Sequence, residues 1–358
     1  MPSLKEIKGR INSISSTLAI TSAMKMVASA KLQKAQMAIQ NMLPYERRLY
    51  SMLLDLMGAM NISAAASEDG SVRGSGSAER GFDQSGDRLS LSNRHDLAGM
   101  DGAYSLMAQR EVRKVAIVAF ASNSSLCGAF NSNAIREATA VINEYRASGL
   151  RDSDIVVYSV GRKMAEAMRK LGFPSPADFT KMSDSPSYEA ASALAQELLD
   201  GFVSGRFDKV ELVYNHYKST SSQPTTRQTY LPLSLADATA DLQAGKIADS
   251  ASESDTNRGA EPVGAPVVRQ GSPTTEDLIV EPSKEELIAT LLPKVIRLRI
   301  FTTLLDSAAA EHAARTVAMQ LATDNGNDLL QELTLEYNKG RQQKITSEIL
   351  DLVGGSMQ

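Results

Sequence analysis

No run of about 18 consecutive apolar residues occurs in this chain of 358 residues, so none of its segments reads as a bilayer-spanning helix. Any association with a membrane is expected to come through a partner. Cysteine is almost missing: Cys127 stands alone, which excludes an internal disulfide framework and a CxxC redox or zinc pair. The three histidines, His95, His216 and His312, lie far apart in sequence and show no metal-ligand spacing. Excess positive charge is also lacking. A formal net charge of −4 and a pI near 5.6 argue against a general nucleic-acid binder, which carries a basic face. The opening MPSLKEIKGRI has neither the apolar core of a signal peptide nor the arginine-rich pattern of a transit segment. Residence on the cytoplasmic side of a bacterium is the expectation.

The chain also lacks the usual nucleotide signatures. There is no GxxxxGK(S/T) phosphate loop, and no GxGxxG follows a predicted strand. One turn, ASNSSLCGAFN over 121–131, follows a strand in the position where open parallel sheets bind ligands. Gly128 alone is a poor phosphate cradle, and the plainer reading is a tight strand-to-helix turn capped by Asn131 or Asn133. Cys127 has no histidine in any defined relation to it and reads as a small buried hydrophobe rather than a nucleophile. Glu285 and Glu286 read as first-turn acids complementing a helix dipole. The sequence therefore predicts no catalytic residue, no cofactor and no metal.

What is present is periodicity at both ends. Ser3 and Glu6 form a capping-box pattern. Leu4, Ile7, Ile11, Ile14 and Leu18 then recur at spacings of three and four, as in a coiled-coil seam. The stripe continues through Ala28, Leu32, Ala35, Ile39 and Met42, with Pro44 a candidate kink. At 1.5 Å per residue, a helix from Ser3 to Met57 would be about 80 Å long, more than a compact domain needs. At the other end Ser283 and Glu286 repeat the capping pattern. Apolar positions run from Leu287 through Leu291, Leu298, Phe301, Leu304, Leu305 and Ala308 to Leu330, Leu333, Ile345, Ile349 and Leu352. Pro293 is expected to kink or restart this helix. Between the arms, strands at 112–120, 154–160, 209–217 and 225–233 alternate with helices at 134–145 and 162–171. A third helix is placed from Ser185-Pro186, with proline at its first position, to Phe202. This alternation predicts an α/β fold: a Rossmann-like central domain with a mainly parallel sheet, plus a long antiparallel coiled coil of the terminal helices. Two polar, Gly/Ser-containing stretches interrupt the pattern. The expected domains are 1–60 N-terminal shaft helix, 61–110 disordered insertion, 111–239 central α/β foot, 240–280 second flexible insertion and 281–358 C-terminal shaft helix.

Polar and small residues sit oddly within the arms. Asn338 and Gln342 fall on a stripe with Leu335, Ile345 and Ile349, and Gly326 and Gly340 each cost about 1 kcal/mol relative to alanine in a helix interior. They read either as tolerated imperfection or as a helix face touching partners closely on more than one side.

Several long motifs resemble those of the γ subunits of F-type, proton-translocating ATP synthases. ITSAMKMVASAKLQKAQ (20–36) is similar to that family's N-terminal signature. EHAARTVAMQLATDNGNDLL (311–330) with LTLEYNKGRQQKITSEILDLVGG (333–355) is similar to its C-terminal one. SSLCGAFN (124–131) resembles the family's central turn, although Asn123, Ser124 and Ser125 stand where the family has Asp-Arg-Gly. VYNHYKS (213–219) and EPSKEELIATLLP (281–293) fit as well.

The resemblance implies a non-catalytic central-stalk rotor, with the catalytic residues mostly on β subunits. One copy would sit in a ring of α and β subunits, bind the ε subunit and rest on the membrane c ring, peripheral to the cytoplasmic face of the inner membrane. It further implies β-loop contacts at Met24, Lys25, Arg315, Arg341, Gln342 and Thr346, and a c-ring contact at Glu281. The tail, 349–358, would turn in an apolar bearing. Two rival readings stay open: a dimeric scaffold held by coiled-coil arms, and a small-molecule-binding α/β enzyme using the turn at 121–131.

Overall fold

The computed structural model describes residues 3–59, 106–107, 110–233 and 284–355. Helix α1 spans Leu4–Ala59 and the last helix, α6, spans Lys284–Gly355. At 1.5 Å per residue their 56 and 72 residues extend about 84 Å and about 108 Å. Between them lie β1 (Val115–Phe120), α2 (Phe130–Ala147), β2 (Ile155–Val160), α3 (Arg162–Lys170), α4 (Thr180–Asp184), α5 (Tyr188–Val203), β3 (Lys209–Asn215) and β4 (Thr225–Leu231). The α/β fold with a mainly parallel central sheet is thus observed.

The sheet order is β2-β1-β3-β4. β1 runs parallel to both neighbours, whereas β4 is an antiparallel edge strand on β3. All six residues of β1 are buried, as expected for a strand covered on both faces. Its alternate residues serve two cores. Val115, Ile117 and Ala119 pack with Ala138, Val141 and Ile142 of α2 and Met164 and Met168 of α3. Ala116, Val118 and Phe120 pack on the other side with Leu194, Leu198 and Phe202 of α5. That second core also contains Leu53 and Leu56 of α1 and Leu292, Ile296, Ile300 and Leu304 of α6. The bases of both long helices are therefore core elements of the central domain, and the domain and the helices form one packed body.

Several local expectations are corrected. α5 starts at Tyr188, not at Pro186: Ser187 is its N-cap, and Ser187 Oγ accepts from the Ala190 N–H. Neither Asn131 nor Asn133 caps α2, whose N-cap is Ala129 without a side-chain bond. Asn131 instead ties the preceding turn together, while Asn133 Oδ1 accepts from Arg136. Pro293 does not restart the last helix: α1 runs on through Pro44 and α6 through Pro293. Pro293 is held between Leu292, Val295 and Ile296, all fully buried, and packing there outweighs one missing hydrogen bond. Half of the first capping box forms. The Glu6 N–H lies 3.3 Å from Ser3 Oγ, but the Glu6 carboxylate pairs with Arg10 at 2.9 Å instead of reaching back. The second box includes Ser283, outside the described residues. Most of the two expected insertions also lie outside them. At the end of the first, Leu106 is buried in the main core, its carbonyl accepts from Leu233 N, and Arg110 lies over the Phe202 ring.

Candidate functional site

The turn at the carboxyl end of β1 is filled by its own side chains. The Ser122 N–H donates to Asn131 Oδ1 at 3.0 Å, and Asn131 Nδ2 donates to the Ser124 carbonyl at 3.1 Å. Asn123 accepts from the Arg162 N–H and donates to the Thr180 carbonyl, both at 2.7 Å. Gly161 comes so close that a Cβ there would lie 2.0 Å from the Ala121 oxygen. Leu126 and Gly128 both take positive φ to close the turn. Cys127 is buried beneath it against Phe130 and Ala310. This geometry matches a tight connecting turn that seats the domain on α6.

The long helices present a different kind of surface. Along α1, the half-buried or buried positions include 4, 7, 11, 14, 18, 21, 25, 28, 32, 35, 39 and 42, an unbroken heptad seam. On α6 the seam passes through Ala309, Thr316, Met319, Thr323, Gly326, Leu330, Leu333, Tyr337 and Gly340. The two seams meet in antiparallel register. The Thr21 and Thr323 hydroxyl oxygens lie 3.1 Å apart, and lower down Arg299 Nη1 donates to Tyr50 Oη at 3.1 Å. Gly326 faces Leu18 and Gly340 faces Leu4. The fourteen-residue spacing of the glycines equals that of the leucines, two heptads. These glycines therefore serve close packing between the two helices of this chain. The stripe of Leu335, Gln342, Ile345 and Ile349 is likewise not the α1-facing seam, since all four are exposed.

A two-helix seam leaves the remaining faces open. Met26, Leu335 and Leu352 are 68%, 71% and 74% exposed, and Ile20, Val27, Leu321, Ile345, Ile349 and Leu350 are also exposed. Large exposed apolar side chains thus recur along both arms. Charge is sorted as well. From Ile7 to Tyr45, α1 carries Lys8, Arg10, Lys25, Lys31 and Lys34 and no acid. From Thr316 to Asn338, α6 carries Asp324, Asp328, Glu332 and Glu336 and no base; these four acids are exposed at every fourth position.

The residues expected from sequence to touch partners fall into three groups. Met24, Arg341, Gln342 and Thr346 are exposed on the arms, with the Thr346 hydroxyl bonded back to the Gln342 carbonyl at 2.9 Å. Lys25 is half-buried at a seam position. Arg315 is turned inward, donating to Glu311 Oε1 and to Ser124 Oγ, each at 2.7 Å. Glu281 lies outside the described residues.

Sequence reasoning missed the junction between the domain and the arms. Asp306 of α6 accepts from the Tyr217 N–H at 2.8 Å and pairs with His216 Nδ1 at 2.6 Å. That hydrogen bond raises the His216 pKa against the opposing effect of burial. His312 is shifted the other way, to about 4, by burial and then by the charges of Arg315 and Lys31. Beside the junction, a groove of about 580 Å³ lies between α1, α6 and the sheet, lined in part by Gln36, Tyr50, Tyr214 and Arg299. Asp306, in the helix interior, gave no capping or motif signal; its partners are about 90 residues away.

Comparison with known proteins places this architecture. The family model described as ATP synthase matches residues 3–357. The ATP synthase gamma chain of Phocaeicola vulgatus is 47% identical over 357 residues, covering 100% of both chains. That of Bacteroides thetaiotaomicron is 45% identical over 358 residues, again with 100% coverage of both. Among solved structures, a chain of the Euglena gracilis mitochondrial ATP synthase (OSCP/F1/c-ring, rotational state 3) aligns with a TM-score of 0.52 at 19% identity. The alignment covers 99% of this chain and 93% of that one, a likeness of fold. With its family model matched nearly end to end and full-length relatives well above 40% identity, the chain belongs to the ATP synthase gamma-chain family.

Proposed function

We propose that this chain is the rotating central shaft of an F-type ATP synthase, coupling proton flow through a membrane c ring to ATP synthesis at β subunits. In this reading the arms turn inside a ring of α and β subunits, and the central domain is the foot that meets ε and the c ring, with Glu281 at that contact. The chain is non-catalytic, present once per complex, and peripheral to the cytoplasmic face of the inner membrane. The observation that carries the reading is the pair of arms. They are internally seamed by Thr21, Thr323, Gly326 and Gly340, yet their outer faces differ in charge and apolar exposure around the circumference. A sleeve around such a shaft meets a different surface at each angle.

Magnitudes favour contacts shared among many residues. Driving a two-state site from 1:99 to 99:1 takes about 5.5 kcal/mol of differential interaction. An exposed ion pair supplies about 0.2–1 kcal/mol and a hydrogen bond to a charged group about 1.5–3 kcal/mol. Met24, Lys25, Arg341, Gln342 and Thr346 therefore act together with the shape of the shaft. Arg315 contributes by holding the arm to the foot.

The test is a pair of cross-links in the intact complex. Gln342→Cys, joined by oxidation to a cysteine on a facing β loop, should stop ATP turnover, and reduction should restore it. Thr21→Cys with Thr323→Cys links the two arms to each other where their hydroxyls already meet, and turnover should survive oxidation. Full turnover with a confirmed link from position 342 to β would exclude a rigid shaft rotating at that level.

A further inference from the structure

Torque passing between the foot and the arms has to cross a junction, and one residue of that junction holds both arms. Tyr217 lies in the connection from β3 to β4. Its backbone N–H donates to Asp306 Oδ1 on α6 at 2.8 Å, and its phenolic oxygen accepts from Gln36 Nε2 on α1 at 2.6 Å. Its ring packs between two small apolar clusters, Leu32 with Ala309 and Ala313, and Cys127 with Phe130 and Ala310. The second Asp306 oxygen takes the neighbouring His216 Nδ1 at 2.6 Å. Tyr217 therefore grips α6 through its backbone, α1 through its side chain, and the β1–α2 turn through its ring.

Several other foot-to-arm bonds reach α6. Tyr230 Oη donates to the Ile296 carbonyl, Arg297 to Gln196, and Arg315 to Ser124. Apolar packing around them is non-directional and resists separation better than it resists twist. Hydrogen bonds are directional, and a backbone donor such as the Tyr217 N–H has no rotatable side chain through which to yield. The alanines at 309, 310 and 313 leave room for an aromatic ring between the helices and the foot, where bulkier residues would push it out.

We infer that Tyr217 and Asp306, with Gln36 completing the link, are positioning residues that key the foot to both arms and set the torsional stiffness of the rotor. This rests on the rotary reading above. The experiment uses the intact complex, with the catalytic sites locked by a non-hydrolysable ATP analogue and a light-scattering particle fixed to the foot. The width of its angular distribution reports the stiffness of the path from foot to ring. Tyr217→Phe, Gln36→Leu and Asp306→Ala should each widen the distribution. Arg146→Ala, which breaks an exposed pair with Asp152 on the far face of the foot, should leave it at the parental width. A merely structural role would lower assembly or melting temperature without widening the distribution in assembled complexes. If the parent complex fails to rotate on ATP, the rotary reading falls. If the parent rotates and the assembled variants keep its width, the key is refuted. Should Asp306→Ala fail to assemble, Gln36→Leu, which removes the bond to the Tyr217 hydroxyl, and Tyr217→Phe, which removes that bond and a 3.5 Å contact with Thr220, decide by the same criterion.

Discussion

Replacing Gly326 by alanine should destabilise the arms, while the same change at Gly340 should not. A Cβ at Gly326 would sit 2.6 Å from Leu18 Cδ2 and 3.2 Å from Leu18 Cγ, well inside the 3.5–4.0 Å (about) at which carbons pack comfortably. All the nearest atoms belong to Leu18, so either that half-buried side chain swings out or the helices part. Overpacking of this kind costs about 1–3 kcal/mol, against a gain of about 1 kcal/mol from replacing glycine in a helix interior. The net is a loss between zero and about 2 kcal/mol. At Gly340 the new Cβ meets Leu4 Cδ2 at 3.1 Å and nothing else within 4 Å. Leu4 is the first residue of α1 and can yield by a few tenths of an ångström. There the helix term wins, giving a gain of up to about 1 kcal/mol. Equilibrium melting of the full chain, followed by helical circular dichroism, reads both changes. Leu18→Ala supplies the decisive cycle: in the Gly326→Ala background it opens the space the new methyl needs, so the two substitutions should couple favourably by about 0.5–2 kcal/mol. Equal shifts at both glycines, or additivity between 18 and 326, would refute the register.

Glu211 offers a second test. It is 1% exposed and accepts from the Tyr145 hydroxyl, Lys209 and Arg227; Glu211→Ala removes this carboxylate from Lys209, leaves Arg227 with Glu144 and leaves the Tyr145 hydroxyl without its acceptor, and should cost about 1–3 kcal/mol in a thermal or denaturant melt, whereas no measurable loss would mean that the cluster is solvated. Burial pushes the Glu211 pKa up, but bonds from Arg227, Lys209 and Tyr145 outweigh it and hold the pKa below the ordinary carboxylate value; its stabilisation is therefore present above the unfolded pKa and lost as pH falls through the folded one. The two described histidines should act in opposite senses. His216, raised by Asp306, stabilises most in acid and loses that contribution as pH rises through its elevated pKa. His312, lowered to about 4, loses stability as pH falls from its unfolded value through that point. His216→Gln and His312→Gln should thus tilt the acid limb of a stability–pH profile in opposite directions, and a common direction would contradict the assigned environments. Finally, Cys127 is buried and free, so thiol reductants should leave the activity of the complex unchanged through this chain; a reductant response abolished by Cys127→Ser would overturn that.

Local pattern was enough to specify much of this molecule. The heptad from Leu4 to Met42 is a property of residue spacing, and the structure places every one of those positions in the seam. The four strands were legible because β-branched and aromatic runs such as VAIVAF and IVVYSV suit a sheet covered on both faces. Helix starts were less legible. Ser187 rather than Ser185 caps α5, and Ala129 rather than an asparagine is the N-cap of α2, because Asn131 is engaged with Ser122 and Ser124 of the preceding turn and Asn133 with Arg136.

On α6 the pattern was ambiguous, since apolar residues occupy more than one stripe. Choosing between the row of Leu335 and Ile345 and the row of Leu333 and Gly340 required the other helix to be in place. Periodicity states which residues share a face, but translation along the partner is decided by side-chain volume. Here Leu18 and Leu4 fit against Gly326 and Gly340, a match of bulk to absence that neither helix shows by itself. The junction is a tertiary product in the same sense. Gln36, Tyr217 and Asp306 come from three distant parts of the chain, and a hydrogen bond between such residues leaves no trace in local propensity, because its geometry exists only after the sheet, the turn and both helices have packed.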